Sequence, residues 1–203
     1  MVSDRSRAMP RVDAIWNHPI YQERYRALQR AERDRVFCGH GLQHFLDVAR
    51  IAWTVLLERG AAAPHTDAPS DGDVADGSVA VVDTPSSKVA RDVVYAAALL
   101  HDMGRADEYE TGEPHDIAGT RIAAEILGTV EQDKRFSSDE CEQILAAIAH
   151  HRTSAGSASD SFSAAALADA LRYADKAARA CYACPARELC NWPDGKKNLM
   201  ITW

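Results

Sequence analysis

Apolar residues recur at helical rather than alternating spacing along almost the whole chain, so the expected fold class is all-α. In HFLDVARIAWTVLLE (44–58), His44 shares one stripe with Val48, Ile51, Ala52 and Val55, the spacing of a single helix face. PRVDAIWNHPIYQERYRALQRAERDR (10–35) reads as one or two amphipathic helices, and a long helix over roughly 41–59 stops at Gly60. VVYAAALLHDM belongs to a helix over roughly 88–103 that ends before Gly104, read as a C′ glycine, with His101 and Asp102 in its last turn. His115 follows Pro114 and keeps step with Ala118, Ile122 and Ile126. Ser137 to Glu140 form a capping box at the start of SSDECEQILAAIAHH, which is apolar all round, so periodicity leaves open which of His150 and His151 faces inward. In LADALRYADKAARA, Asp175 lines up with Leu167, Leu171 and Ala178. Only SVAVVD (78–83) has a strand-like composition.

Composition turns these helices into a plan. With 203 residues, 46% of them hydrophobic, the chain can bury a sizeable core in one or at most two domains. Residues 61–88 are rich in Ala, Asp, Ser, Gly and Pro and bury too little to offset their chain entropy, which predicts a mobile insertion. A smaller loop is expected at TSAGSASDSFS (153–163). The expected organisation is N-terminal helices (1–34) packed on a helical domain (35–180), followed by a short cysteine-containing extension (181–203). A formal charge of −7 argues against general nucleic-acid binding or an anionic membrane surface. The charged N-terminus lacks an apolar h-region and no window reaches 18 apolar residues, so no membrane association and a cytoplasmic location are expected.

The chemistry lies in what the apolar stripes carry. Separate helices send His44, His101 with Asp102, His115, a histidine of the 150–151 pair, and Asp175 toward one core. A buried, unpaired carboxylate costs several kcal/mol, and scattered histidines each held by their own partner are the ordinary alternative. A divalent cation satisfies all of these groups together, and the carbonyl end of the helix preceding His101 adds to its binding. Nitrogen and oxygen donors without thiolate favour Mn, Fe, Co, Ni or Zn over Ca.

The order His44, His101–Asp102, Asp175 resembles the HD-domain superfamily of metal-dependent phosphohydrolases. The flanking segments FCGHGLQHFLDVARIA, AALLHDMGR, HDIAGTRIAAEIL, ILAAIAHHR and LRYADKAAR extend the resemblance over roughly 35–180, and the fold it implies is an HD-domain helical bundle. It implies one metal held by His44, His101, Asp102 and Asp175, and a second in members that add histidines, here His115 and His150, with His151 as a further candidate. Asp102 would then bridge, and Asp102 with His101 would be the catalytic pair. The implied reaction is attack of metal-bound hydroxide on a phosphoester or phosphoanhydride of a small phosphorylated substrate, a nucleotide being expected. His40, Arg105, His151 and Lys176 are the candidates for binding that substrate; each also has an ordinary role as a surface charge or helix-end residue. A two-iron oxygenase of the same superfamily and a non-catalytic metal- or ligand-sensing module are the alternatives. HH is followed here by RTSAGSAS rather than Gly-Tyr-Pro, which argues against a cyclic dinucleotide.

Five cysteines are present, and Cys181, Cys184 and Cys190 form a C-x2-C-x5-C pattern suited to a Zn or Fe-S centre. Cys38 would be the fourth ligand if the C-terminal segment folds back on the first core helix; packing as reduced thiols is the alternative. The FCxH start and CxxC tail together resemble a subgroup of HD proteins. Cys141 is expected to be a packed thiol.

Overall fold

A computed structural model describes residues 8–63, 88–152 and 162–201. The insertion expected at 61–88, apart from its two ends, lies outside the described residues, as do SVAVVD and most of the 153–163 loop. The fold is all-α. In chain order the helices are α1 (Pro10–Trp16), α2 (Pro19–Ala31), α3 (Leu42–Glu58), α4 (Arg91–Leu100), α5 (Arg105–Thr111), α6 (His115–Thr129), α7 (Ser138–His150) and α8 (Phe162–Ala177). No helix among the described residues is long and apolar enough to cross a membrane.

The helices end where local chemistry directs. Gly60 adopts a positive φ of 66°, and the Ala61 and Ala62 N–H groups turn back onto the Leu56 carbonyl, closing α3. Both bonds of the Ser137–Glu140 capping box are present at the start of α7. Ala62 and Val89 form an isolated bridge that brings the two ends of the insertion together.

α4 is the innermost helix, with Val93, Val94, Ala96, Ala97, Ala98, Leu99 and Leu100 all buried. Its alanines let α3 and α7 approach closely, while α8 packs mainly on α3 and α7. Phe45 and Val48 of α3, Ile122 and Ile126 of α6, Ile144 and Ile148 of α7, and Leu167 and Leu171 of α8 complete the core. Rings of Trp16, Tyr21, Tyr25 and Phe45 tie the N-terminal helices to α3.

Two local expectations are corrected. α4 stops at Leu100, so His101 and Asp102 occupy the turn between α4 and α5 instead of a last helical turn. Gly104 has φ −79°, so it is not a left-handed C′ residue. It is small for another reason: a Cβ there would lie 2.3 Å from the His115 carbonyl oxygen and 2.4 Å from the Gly119 nitrogen.

Candidate metal centre

Each donor is aimed by the end or face of a helix. The N-terminus of α3 is fixed by Tyr25, whose hydroxyl accepts from the Leu42 N–H at 3.1 Å, and His44 follows in the first turn. His101, one residue past α4, donates from Nδ1 to the Ala98 carbonyl at 2.7 Å. His151, one residue past α7, does the same to the Ile148 carbonyl at 2.6 Å. Both rings thereby satisfy a helix-end carbonyl and turn Nε2 toward the centre. His115 opens α6 and donates from Nδ1 to Glu108 Oε2 at 2.6 Å. Asp175 stands near the end of α8, buried beside Leu171 and Ala174.

These side chains form two groups whose donor atoms lie within 4.8 Å of one another: His44, His101, Asp102 and Asp175; and Asp102, His115 and His151. Asp102 belongs to both. Its Oδ2 lies 3.1 Å from His101 Nε2 and 3.8 Å from His44 Nε2, and His44 Nε2 is 3.4 Å from Asp175 Oδ1. Its Oδ1 lies 3.4 Å from His115 Nε2 and 3.9 Å from His151 Nε2.

The residues fit a cation. Carbonyl oxygens only accept hydrogen bonds, so Nδ1 of His101 and of His151 must carry a proton, and each ring, when neutral, has its lone pair at Nε2. Glu108 imposes the same on His115, whose Nε2 faces that of His151 at 3.1 Å. Lone pairs so placed repel unless a positive charge lies between them. His44 Nε2, His101 Nε2 and Asp102 Oδ2 are buried without a hydrogen-bond partner among the described residues.

Electrostatics agree. Burial opposes charge on His101, but the Asp102 and Asp175 carboxylates outweigh it and push the ring up to about 10. Asp175 is held well below the usual carboxylate range: burial works against this, and the adjoining His101 and His44 rings prevail. His151 is pushed down to about 4, by burial first and by the neighbouring His101 second, which keeps it a neutral donor. The cluster thus calls for positive charge at the first group and offers neutral imidazoles at the second.

Residues 41–186 match the family described as HD domain. This chain belongs to the HD domain family. It is also similar to an uncharacterized protein of Clostridium beijerinckii, with 33% identity over 193 residues, covering 95% of this chain and 99% of that one. No solved structure matches the chain.

Of the residues singled out in sequence, this HD domain brings His44, His101, Asp102, His115 and Asp175 into the cluster, and could hold a metal there. His150 is not in either group and is half-buried; the inward histidine is His151, corrected because α7 ends at His150 and its successor caps the helix. His40 is buried beside the first group, with Nε2 3.6 Å from Asp102 Oδ2 and Nδ1 2.5 Å from Glu32 Oε1. Arg105 does not stand free: its Nε donates to Asp102 Oδ1 at 2.8 Å. Lys176 is exposed, one residue round the helix from Asp175, and is not brought to the centre.

Sequence reading missed the supporting shell. Glu108 orients His115; Glu32 orients His40 and accepts from the Tyr109 hydroxyl at 2.7 Å. Arg179 donates to Asp175 Oδ2 at 3.3 Å, and Arg152 reaches Glu108 and Asp116. Arg179 had a signal in its i,i+4 spacing from Asp175. Glu108 and Glu32 had none, since turns and a second helix bring them in.

Proposed function

We propose that this HD domain protein is a metal-dependent phosphohydrolase acting on a phosphoester or phosphoanhydride of a small phosphorylated compound, with a nucleotide as the expected class. The observation that supports this reading is the division of Asp102, one oxygen toward each of two histidine groups. His44, His101 and Asp175 would hold one divalent ion and His115 and His151 the other, with Asp102 spanning both; Mn, Fe, Co, Ni and Zn suit the nitrogen and oxygen donors. Bound there, the ions would supply a nucleophile from water at neutral pH and would polarise the phosphoryl oxygens.

The chain's own residues do the rest. Glu108 and the Ala98 and Ile148 carbonyls keep three imidazoles in the donor tautomer. Arg105, Arg152 and Arg179 each pair with a carboxylate at or beside the cluster and so offset part of the negative charge that an anionic substrate would meet. His40, backed by Glu32, can hold or accept a proton beside the first group without belonging to it.

The test is phosphate release from a panel of nucleotides and phosphomonoesters with Mn, Co, Ni or Mg. Activity with at least one metal, lost with metal content in Asp102→Ala, is expected. No release with any metal would overturn the reading. Oxygen-dependent turnover with iron would replace it by a two-iron oxygenase, and tight ligand binding without turnover by a sensing module.

A further inference from the structure

Four cysteines that the His/Asp centre does not use come together elsewhere. Cys38, in the loop between α2 and α3, joins Cys181, Cys184 and Cys190 of the C-terminal segment around a cavity of about 20 Å³, lined also by Phe37, Arg187 and Lys197. All four are free thiols. Space of that size holds about one water-sized occupant, which suits a single ion and not a multi-iron cluster.

The segment also has little apolar support among the described residues. From residue 181 onward Ala186 is the buried apolar residue among those described, while Leu189, Trp192, Met200 and Ile201 are exposed. Short 3-10 turns at Cys181–Ala183 and Arg187–Leu189 shape it, with Cys184 N–H donating to the Cys181 carbonyl and Arg187 N–H to the Cys184 carbonyl. So little buried apolar surface does not hold a segment of this length in one conformation; small units of this kind are commonly held by a metal. The surrounding charge fits as well. Four thiolates on a divalent ion leave a net negative charge, and Arg187 and Lys197 are among the residues that line the cavity.

We propose that Cys38, Cys181, Cys184 and Cys190 bind one tetrahedral zinc ion, separate from the His/Asp centre, which pins the C-terminal segment to the loop before α3. C-x2-C lets the first two C-terminal thiolates reach one ion, and four thiolates complete a closed structural site. The four sulphurs are not among the groups already closed to 4.8 Å, so binding draws them inward. The ion would steady both flanks of the His/Asp centre. Cys38 lies two residues before His40, and Asn198 of the pinned segment donates to the carbonyls of Lys176, Ala177 and Arg179 just past Asp175.

The full chain carrying Asp102→Ala, which empties the His/Asp centre, and purified under reducing conditions, is expected to hold one zinc that persists when Cys141→Ser is added but is lost when Cys38→Ser or Cys184→Ser is added. Cobalt(II) reconstitution should give intense thiolate-to-metal charge-transfer bands and tetrahedral ligand-field bands, and an organomercurial should release one zinc per chain. Should the serine variants not fold, the cobalt spectrum and mercurial titration of the wild-type chain decide alone. Zinc retained in both serine variants, a wild-type cobalt spectrum without thiolate bands, iron–sulfur absorption, or disulfides among the four cysteines would each overturn the proposal. Because Asp102→Ala empties only the His/Asp centre, failure here is distinguishable from failure of the phosphohydrolase reading.

Discussion

Glu108 accepts the Nδ1 hydrogen of His115 at 2.6 Å, across the turn at Gly112 that separates α5 from α6. That single bond decides which nitrogen of His115 is left to bind a cation. Removing such a partner typically costs about 10–100-fold in metal affinity. Glu108→Ala is therefore expected to weaken the second ion by about that factor and leave the first nearly unchanged. Metal titration by calorimetry checks it, and equal weakening of both ions would contradict the assignment.

The adjacent histidines 150 and 151 make a sharper contrast. His151 caps α7 through its Nδ1 and faces His115, whereas His150 lies outside both donor groups. His151→Ala should lose the second ion, and His150→Ala should keep both. Metal content of the two purified variants decides between them; loss of metal from His150→Ala alone would show that the donor is not the one the geometry indicates.

Periodicity reached each residue of the donor cluster that lies on an apolar stripe, and failed where a helix stops. His44, His115 and Asp175 share faces with buried residues, so their direction follows from spacing alone. His151 lies one residue beyond α7, where the stripe no longer applies. The same geometry holds at His101, the residue after α4, so the two histidines are related by helix ends and not by helix faces. Glu108, Glu32 and Arg152 act through packing between elements distant in sequence, which leaves no local trace. Gly104 reads in sequence as a C′ glycine, whereas its φ of −79° is ordinary and the reason for its size, the approach of α6, appears only in three dimensions.

Metal should also stabilise the fold. A ligand that binds only the folded state contributes about 2.7 kcal/mol at one hundred times Kd. For a chain of this size that corresponds to about 5–10 °C in Tm. Scanning calorimetry with and without a chelator measures the difference. Asp102→Ala, which removes the shared donor, should show almost none of the metal-dependent rise at the His/Asp centre.

Acid stability should depend on Glu32. Burial opposes its charge, but hydrogen bonds from His40 and Tyr109 hold its carboxyl down to about 2, against an ordinary value of 4.5. A carboxyl lower in the folded than in the unfolded state contributes stability that is complete above the unfolded value and is lost as pH falls toward the folded one. The window therefore runs from 4.5 down to about 2. Glu32→Gln should be less stable at neutral pH and show a shallower loss on acidification through that window. Circular dichroism under chelating conditions, which removes the metal contribution, checks the slope; an unchanged slope would refute the role.

Gly104 joins the fold to the chemistry. Its φ of −79° is open to any residue, so a substitution there tests packing and not backbone strain. An added Cβ would meet the His115 carbonyl oxygen at 2.3 Å, the Gly119 nitrogen at 2.4 Å and the Ala118 Cβ at 2.9 Å. Two of these are backbone atoms, which cannot rotate aside, so α6 must move away from the turn carrying His101 and Asp102. Overpacking of this kind costs about 1–3 kcal/mol, or about 2–12 °C in Tm for a chain of this size. His115 is the first residue of α6 and moves with it, drawing away from Asp102. Gly104→Ala should thus lower Tm and lose the second ion while keeping the first, whose donors lie on α3, α8 and the turn itself. Metal content beside the melting curve checks both halves; a variant with wild-type Tm and both ions would show that α6 does not need this close approach.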